Sequence, residues 1–139
     1  MSEESTTPDL VEHTRRAFES ANQGDLDATM STFARNAVLE ATGLGTSFEG
    51  VAAIRGGFED WIGAYEEFEI ELEEIRDLGS GVVLAVIRQR ARPAGSTAEV
   101  RMQHAWITVW VEGVIVRCTV YRHVHEGRAA AERLAEERE

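Results

Sequence analysis

The side chains best suited to chemistry lie in the last third of the chain: His104, Tyr121 and Arg88, with His123 and His125 nearby. Histidine is the side chain that titrates near neutrality, at about 6.5 when unperturbed, so His104 suits general acid or general base work. Two-residue alternation puts it on one face with Val100, Met102, Trp106, Thr108 and Trp110, an ionisable ring set among apolar groups. The same pattern accommodates a histidine hydrogen-bonded within a sheet or packed at a subunit interface. The Tyr121 hydroxyl either joins His104 at a pocket or is anchored by its own hydrogen bond at the rim. Arg88 binds a carboxylate or enolate oxygen if it faces inward. His123 and His125 are two residues apart on one strand face, a spacing that suits two metal ligands. No third ligand follows from the spacing, so no metal is predicted, and no cofactor either.

Composition narrows the classes of function. The chain has 139 residues, a formal net charge of -11, and 43% hydrophobic residues. That length suits one domain with a real core. The acidic balance argues against nucleic acid and against anionic membranes, both of which call for a basic surface. Every basic residue is arginine, which removes Schiff-base chemistry and any phosphate-loop lysine. The single cysteine, Cys118, has no internal partner and lies mid-strand, so it reads as a packed thiol in a reducing compartment. No apolar run approaches membrane-spanning length, and the acidic start MSEESTTP is unlike a secretory leader, so the chain is expected in the cytoplasm.

These residues need elements to hold them. Thr7 and Pro8 suit the start of a first helix carrying Leu10, Thr14, Ala17, Phe18 and Ala21, which ends near Gly24. Asn22-Gln23-Gly24-Asp25 is a tight helix-to-helix turn, and Asp25 caps a short second helix with Leu26, Met30 and Phe33 on one face. Ala37–Ala41 reads as a strand and Thr42–Ser47 as a glycine-rich turn. A third helix carries Val51, Ile54, Phe58, Trp61, Ile62 and Tyr65. Gly56, Gly57 and Gly63 inside it cost about 1 kcal/mol each against alanine, which close packing against a neighbour would offset. Phe68–Asp77 and Val82–Arg92 are strands, and two long arms flank Glu112-Gly113 as a β-hairpin. The segment from Glu126 onward is either a short helix built on Ala130 and Leu134 or a frayed, peripheral end. Helices first and strands later make a single α+β domain with helices on one face of a curved sheet.

Two strand faces stay ambiguous. With an unbroken turn after Asp77, Arg88 faces Glu71 and Arg90 faces Glu69, a charge ladder on the outer face. However, Phe68, Ile70 and Leu72 are out of phase with Ile75. A bulge near Glu73-Glu74 would repair that, and a one-residue slip would turn Arg88 inward. The aromatic set Phe18, Phe33, Phe58, Trp61, Tyr65 and Trp106, with Met102, fits the walls of an apolar substrate cavity and equally fits an ordinary core. Trp110, near the hairpin tip, reads as interface or surface packing.

The element order together with particular residues resembles the nuclear-transport-factor-2-like superfamily, and within it the SnoaL-like group. The carrying residues are Phe18, Asn22-Gln23-Gly24-Asp25-Leu26-Asp27 and Phe33-Ala34-Arg35-Asn36-Ala37-Val38. Phe48-Glu49-Gly50, Ala53-Ile54-Arg55, Glu112-Gly113-Val114-Ile115-Val116-Arg117 and Tyr121 complete the set. The resemblance implies a cone-shaped curved sheet wrapped around three N-terminal helices, an internal pocket, and homodimers that pair through the outer sheet face. It covers many chemistries, so activity must be argued from the site. The ketosteroid-isomerase-like pattern asks for an acid near the end of the first strand, a tyrosine on the first helix and an acid on the penultimate strand. Here those places fall on Ala41, near Ala17, and near Ala105 or Trp106, so that mechanism is not expected. What remains is a cofactor-independent enzyme acting on a small hydrophobic carbonyl or polyketide-like compound, or a non-catalytic binding or accessory dimerisation domain using the same cavity.

Overall fold

The computed structural model describes residues 9–42 and 45–139. Helix α1, Leu10–Asn22, starts at Asp9, whose carboxylate accepts the Glu12 N–H at 3.1 Å. The Thr7-Pro8 start expected from sequence lies outside the described residues. Asp25 caps α2, Leu26–Met30, as its type and position suggested, accepting the Ala28 N–H at 3.2 Å. Strand β1 runs from Phe33 to Ala41, four residues earlier than expected, so Phe33 belongs to the strand and not to the second helix. The stretch read as a glycine-rich turn leads at Thr46 into a short strand, β2, Thr46–Glu49, that pairs antiparallel with β1. Helix α3 follows at Val51–Gly63, and Tyr65 opens strand β3, Tyr65–Gly79, where a helical position was expected. Of the three glycines in α3 only Gly57 answers a close approach: a Cβ there would meet the Phe48 ring at 2.9 Å, while Gly56 and Gly63 face open space.

Strands β4, Val82–Pro93, β5, Val100–Val111, and β6, Val114–Tyr121, complete a six-stranded sheet in the order β2-β1-β6-β5-β4-β3. Only the β1–β6 pair is parallel, and the sheet is not closed. Its two tight hairpins turn on Ser80-Gly81 and Glu112-Gly113, all four residues at positive φ, the geometry that matches strand twist in a two-residue turn. At the far edge, the Asn22 side chain acts as a stand-in strand. Its Nδ2 donates to the Ile70 carbonyl and its Oδ1 accepts the Ile70 N–H, both at 2.7 Å. This ties the end of α1 to β3, holding the curled sheet over the helices.

The concave face carries the main core, with Phe18, Phe33, Ile54, Phe58, Ile87 and Trp106 among its buried residues. The convex face carries a second, smaller cluster. Val82, Leu84, Val86, Ala105 and Ile107 pack there against Ala131 and Ala135 of a fourth helix, α4, Val124–Glu137. The segment that could have been a frayed end is therefore a docked helix. Its buried positions are Gly127, Ala131 and Ala135, not Ala130. A Cβ at Gly127 would lie 2.4 Å from the Ala105 Cβ, so only glycine lets the helix sit this close. Arg128 adds a two-pronged ion pair to Glu74 of β3, at 2.8 and 2.5 Å. Its guanidinium holds the Glu74 carboxyl below the usual carboxylate range. Helix α4 thus covers the apolar half of the convex face, and the other half carries the charge ladder. Among the described residues no helix is long and apolar enough to cross a membrane.

Candidate functional site

Between α3 and the concave face lies an open-mouthed cavity of about 580 Å³. Alternation along β5 is unbroken, so Met102, His104 and Trp106 all reach it from one strand, as their spacing required. Phe58 and Trp61 of α3 form the facing wall, packed edge-on to each other at 5.9 Å, and Trp61 lies 5.8 Å from Trp106. Leu39 and Ala41 of β1, Phe48 of β2 and Val120 of β6 complete an apolar lining. Ala41 stands where an isomerase-type acid would be, while the neighbouring Glu40 points out and pairs with Arg117.

Polar groups in this lining are few and unevenly placed. His104 is 8% exposed, and its Nδ1, itself shut off from solvent, has no hydrogen-bond partner among the described residues. Trp106 is 6% exposed, and its Nε1–H is likewise buried and without an acceptor among them. The other two tryptophans are satisfied: Trp61 Nε1–H donates to Gln89 Oε1 at 3.1 Å, and Trp110 Nε1–H to Thr108 Oγ1 at 2.9 Å. Burial, and then the nearby Arg122 charge, hold the His104 pKa below its ordinary 6.5, so the ring is neutral at neutral pH. Asp60 and Arg122 line the mouth from opposite elements, α3 and the link after β6. No ion pair within 4 Å joins either of them to a charged group among the described residues.

Several candidates lie elsewhere. Arg88 is on the convex face, paired with Glu73 at 2.7 Å, and so is outside the cavity. The expected bulge is present between Leu72 and Glu74, and a second lies between Asp77 and Gly79. Both belong to β3, so the alternation of β4 runs on from Val82, Leu84 and Val86 to put Arg88, Arg90 and Arg92 outward. Arg90 pairs with Glu69 and Arg92 with Glu66 and Glu67 in the ladder. Tyr121 is also convex, under α4. A shift in the β5–β6 register between Ile115 and Arg117 reverses parity, so Ile115 is inside while Arg117 and Tyr121 are outside. Tyr65 stacks on Phe68 at 6.0 Å and does not reach the cavity. Phe18 and Phe33 sit behind Trp106, around a small space of about 20 Å³ that Trp106 also lines. Thr14 borders that space, with its Oγ1 unpartnered.

His123 is the residue that precedes α4 and His125 lies in its first turn, their rings 6.3 Å apart, so they do not share a strand face. Among the described residues no three His, Cys, Asp or Glu side chains cluster to hold a metal. Cys118 is buried in the core, and burial pushes its thiol pKa up, which leaves it un-ionised and inert.

Residues 14–118 match the SnoaL-like domain model, which is most of the chain. The chain belongs to the SnoaL-like family. Solved structures agree on the fold of this SnoaL-like domain. Bal32a, from a soil-derived mobile gene cassette, superposes at TM-score 0.72 and 21% identity, covering 87% of this chain and 92% of its own. A putative polyketide cyclase from Sinorhizobium meliloti gives 0.66 and 24%, over 82% and 94%. An LEH-like epoxide hydrolase of M. tuberculosis gives 0.69 and 15%, over 88% and 89%. No protein of curated function matches the chain.

Proposed function

We propose that this SnoaL-like domain holds a small, mainly apolar molecule with a carbonyl-type oxygen in the cavity between α3 and the sheet. The observation that carries the reading is an open cavity of about 580 Å³ with a mainly apolar lining, in which His104, Asp60 and Arg122 are the ionisable groups. A ligand oxygen at this wall would answer the His104 ring and the Arg122 guanidinium. Two of the structural relatives above, a putative polyketide cyclase and an epoxide hydrolase, differ in reaction and are of low identity, so they choose neither for this chain.

Binding is testable with a small aryl ketone, acetonaphthone. Calorimetry should show binding to the wild type and its loss in Ala41→Trp, which fills the cavity. Binding unchanged by that substitution would refute the site.

A catalytic reading is favoured by the neutral state of His104. Such an imidazole can take a proton from the carbon next to a carbonyl, the electron pair passing to the oxygen, and later return a proton to carbon. Exchange of that C–H for deuterium in heavy water, followed by NMR, should require His104 and vanish in His104→Ala. Exchange that survives unchanged would leave the binding-domain reading. No carboxylate is hydrogen-bonded to His104 among the described residues, so any such chemistry rests on one histidine and not on a dyad.

The homodimer implied by the family likeness stays a proposal with a narrower surface. Helix α4 occupies the apolar half of the convex face, which leaves the ladder of Arg88, Arg90 and Arg92 for a partner copy. A cytoplasmic setting likewise remains a proposal, supported by the single free, buried thiol.

A further inference from the structure

Arg122 was not among the residues singled out in the sequence, yet it stands at the mouth of the cavity. It follows β6, and the β5–β6 pairing explains its aim. Ala105 pairs with Tyr121 and Trp106 with Val120, so continuing that register by one residue sets Arg122 opposite His104 on the concave face. Ten of the other arginines form ion pairs with carboxylates, among them Arg55, Arg90, Arg117 and Arg128. Among the described residues Arg122 has no such partner, although the chain is strongly acidic. An unpaired guanidinium beside an apolar cavity offers a planar fork of donors to an oxyanion.

Resting on the pocket reading above, we infer that the ligand is an apolar molecule carrying a carboxylate, with its carbon skeleton against Phe58, Trp61 and Trp106 and its carboxylate on Arg122. The opposite charge at the mouth, Asp60, makes an amine the competing reading. Donors decide between them. Arg122 can only donate, and His104, set opposite it on the sheet, can donate from one ring nitrogen, whereas Asp60 stands alone as a charged acceptor on the other wall. A carboxylate answers more of these groups than an ammonium does.

Calorimetry with three matched probes tests this: 2-naphthoate, its methyl ester, and 2-naphthylmethylamine. The wild type should bind the acid about tenfold more tightly than the ester, the discrimination expected of one charge-assisted contact at a partly exposed rim. Arg122→Gln should remove that preference while the ester binds as before, and Arg122→Lys should restore part of it. Equal affinity for acid and ester, an acid preference that survives Arg122→Gln, or tighter binding of the amine would each overturn the assignment while the pocket stands. Failure of all three probes to bind the wild type would count against the pocket and the assignment together.

Discussion

Asn22→Ala should destabilise the fold far more than a surface substitution does. The Asn22 amide closes two 2.7 Å hydrogen bonds with the backbone of Ile70, a residue only 4% exposed. Truncation leaves both the N–H and the C=O of Ile70 without their partner on an edge strand, and because Asn22 itself is exposed, water takes up part of what is lost. A net hydrogen bond contributes about 1 kcal/mol. Two of them put the loss at about 1–2 kcal/mol, against the 5–15 kcal/mol typical of a domain. Equilibrium urea unfolding followed by tryptophan fluorescence should show the midpoint falling by about 1 M at a slope of about 1.5 kcal/mol/M. Asn22→Asp adds a sign test. Its carboxylate would keep the acceptor for the Ile70 N–H but set a second oxygen against the Ile70 carbonyl, which raises the folded pKa of the introduced group. Its protonated form can donate as the amide did, so the penalty relative to wild type should be largest at neutral pH and shrink as the solution is acidified. A loss under about 0.5 kcal/mol for Asn22→Ala would refute the clamp.

Three further outcomes follow from the same geometry. Gly127→Ala drives a Cβ to 2.4 Å from Ala105, and should cost about 1–3 kcal/mol by calorimetric melting even though alanine favours helix; a stabilised variant would mean that α4 is not docked as described. Because burial and Arg122 lower the folded pKa of His104, the unfolded chain binds that proton more tightly. Stability from this site is complete above about pH 6.5 and declines as pH falls below it, and His104→Gln should flatten that part of the profile relative to wild type in urea melts. Sedimentation should show a dimer that weakens between low and high salt, since the convex surface left by α4 is a charge ladder; a salt-insensitive dimer, or a monomer at all salt concentrations, would remove that surface from consideration.

Legibility in the sequence tracked the regularity of each strand. Unbroken alternation in β5 correctly set Met102, His104 and Trp106 together, and the Glu112-Gly113 pair correctly announced the hairpin. The same alternation put Trp110 on the inner face. Its position near the tip nevertheless suggested surface or interface packing, whereas it is 5% exposed and bonded to Thr108. In β6 the register shift after Ile115 has no residue signature, and it turns Tyr121 to the convex face, away from the pocket where its hydroxyl was expected to join His104 or sit at the rim. In β3 the phase slip between Leu72 and Ile75 did reveal a bulge, but which strand owned it decided the side of Arg88. Cavity walls from Ala41, Phe48 and Arg122 depend on how the sheet curls, a long-range outcome that local patterning does not encode. Gly127 looks like a helix breaker until the Ala105 methyl beneath it is seen.

Occupancy of this cavity by a small apolar molecule can be followed through the three indole N–H signals in a nitrogen-15 correlation spectrum. Trp61 and Trp106 line the cavity and Trp110 does not. Adding 2-naphthoate should shift the Trp61 and Trp106 signals, as the ring current of an aromatic neighbour does, and leave that of Trp110 in place. Trp61 and Trp106 signals that stay fixed while the probe binds would mean that it binds elsewhere.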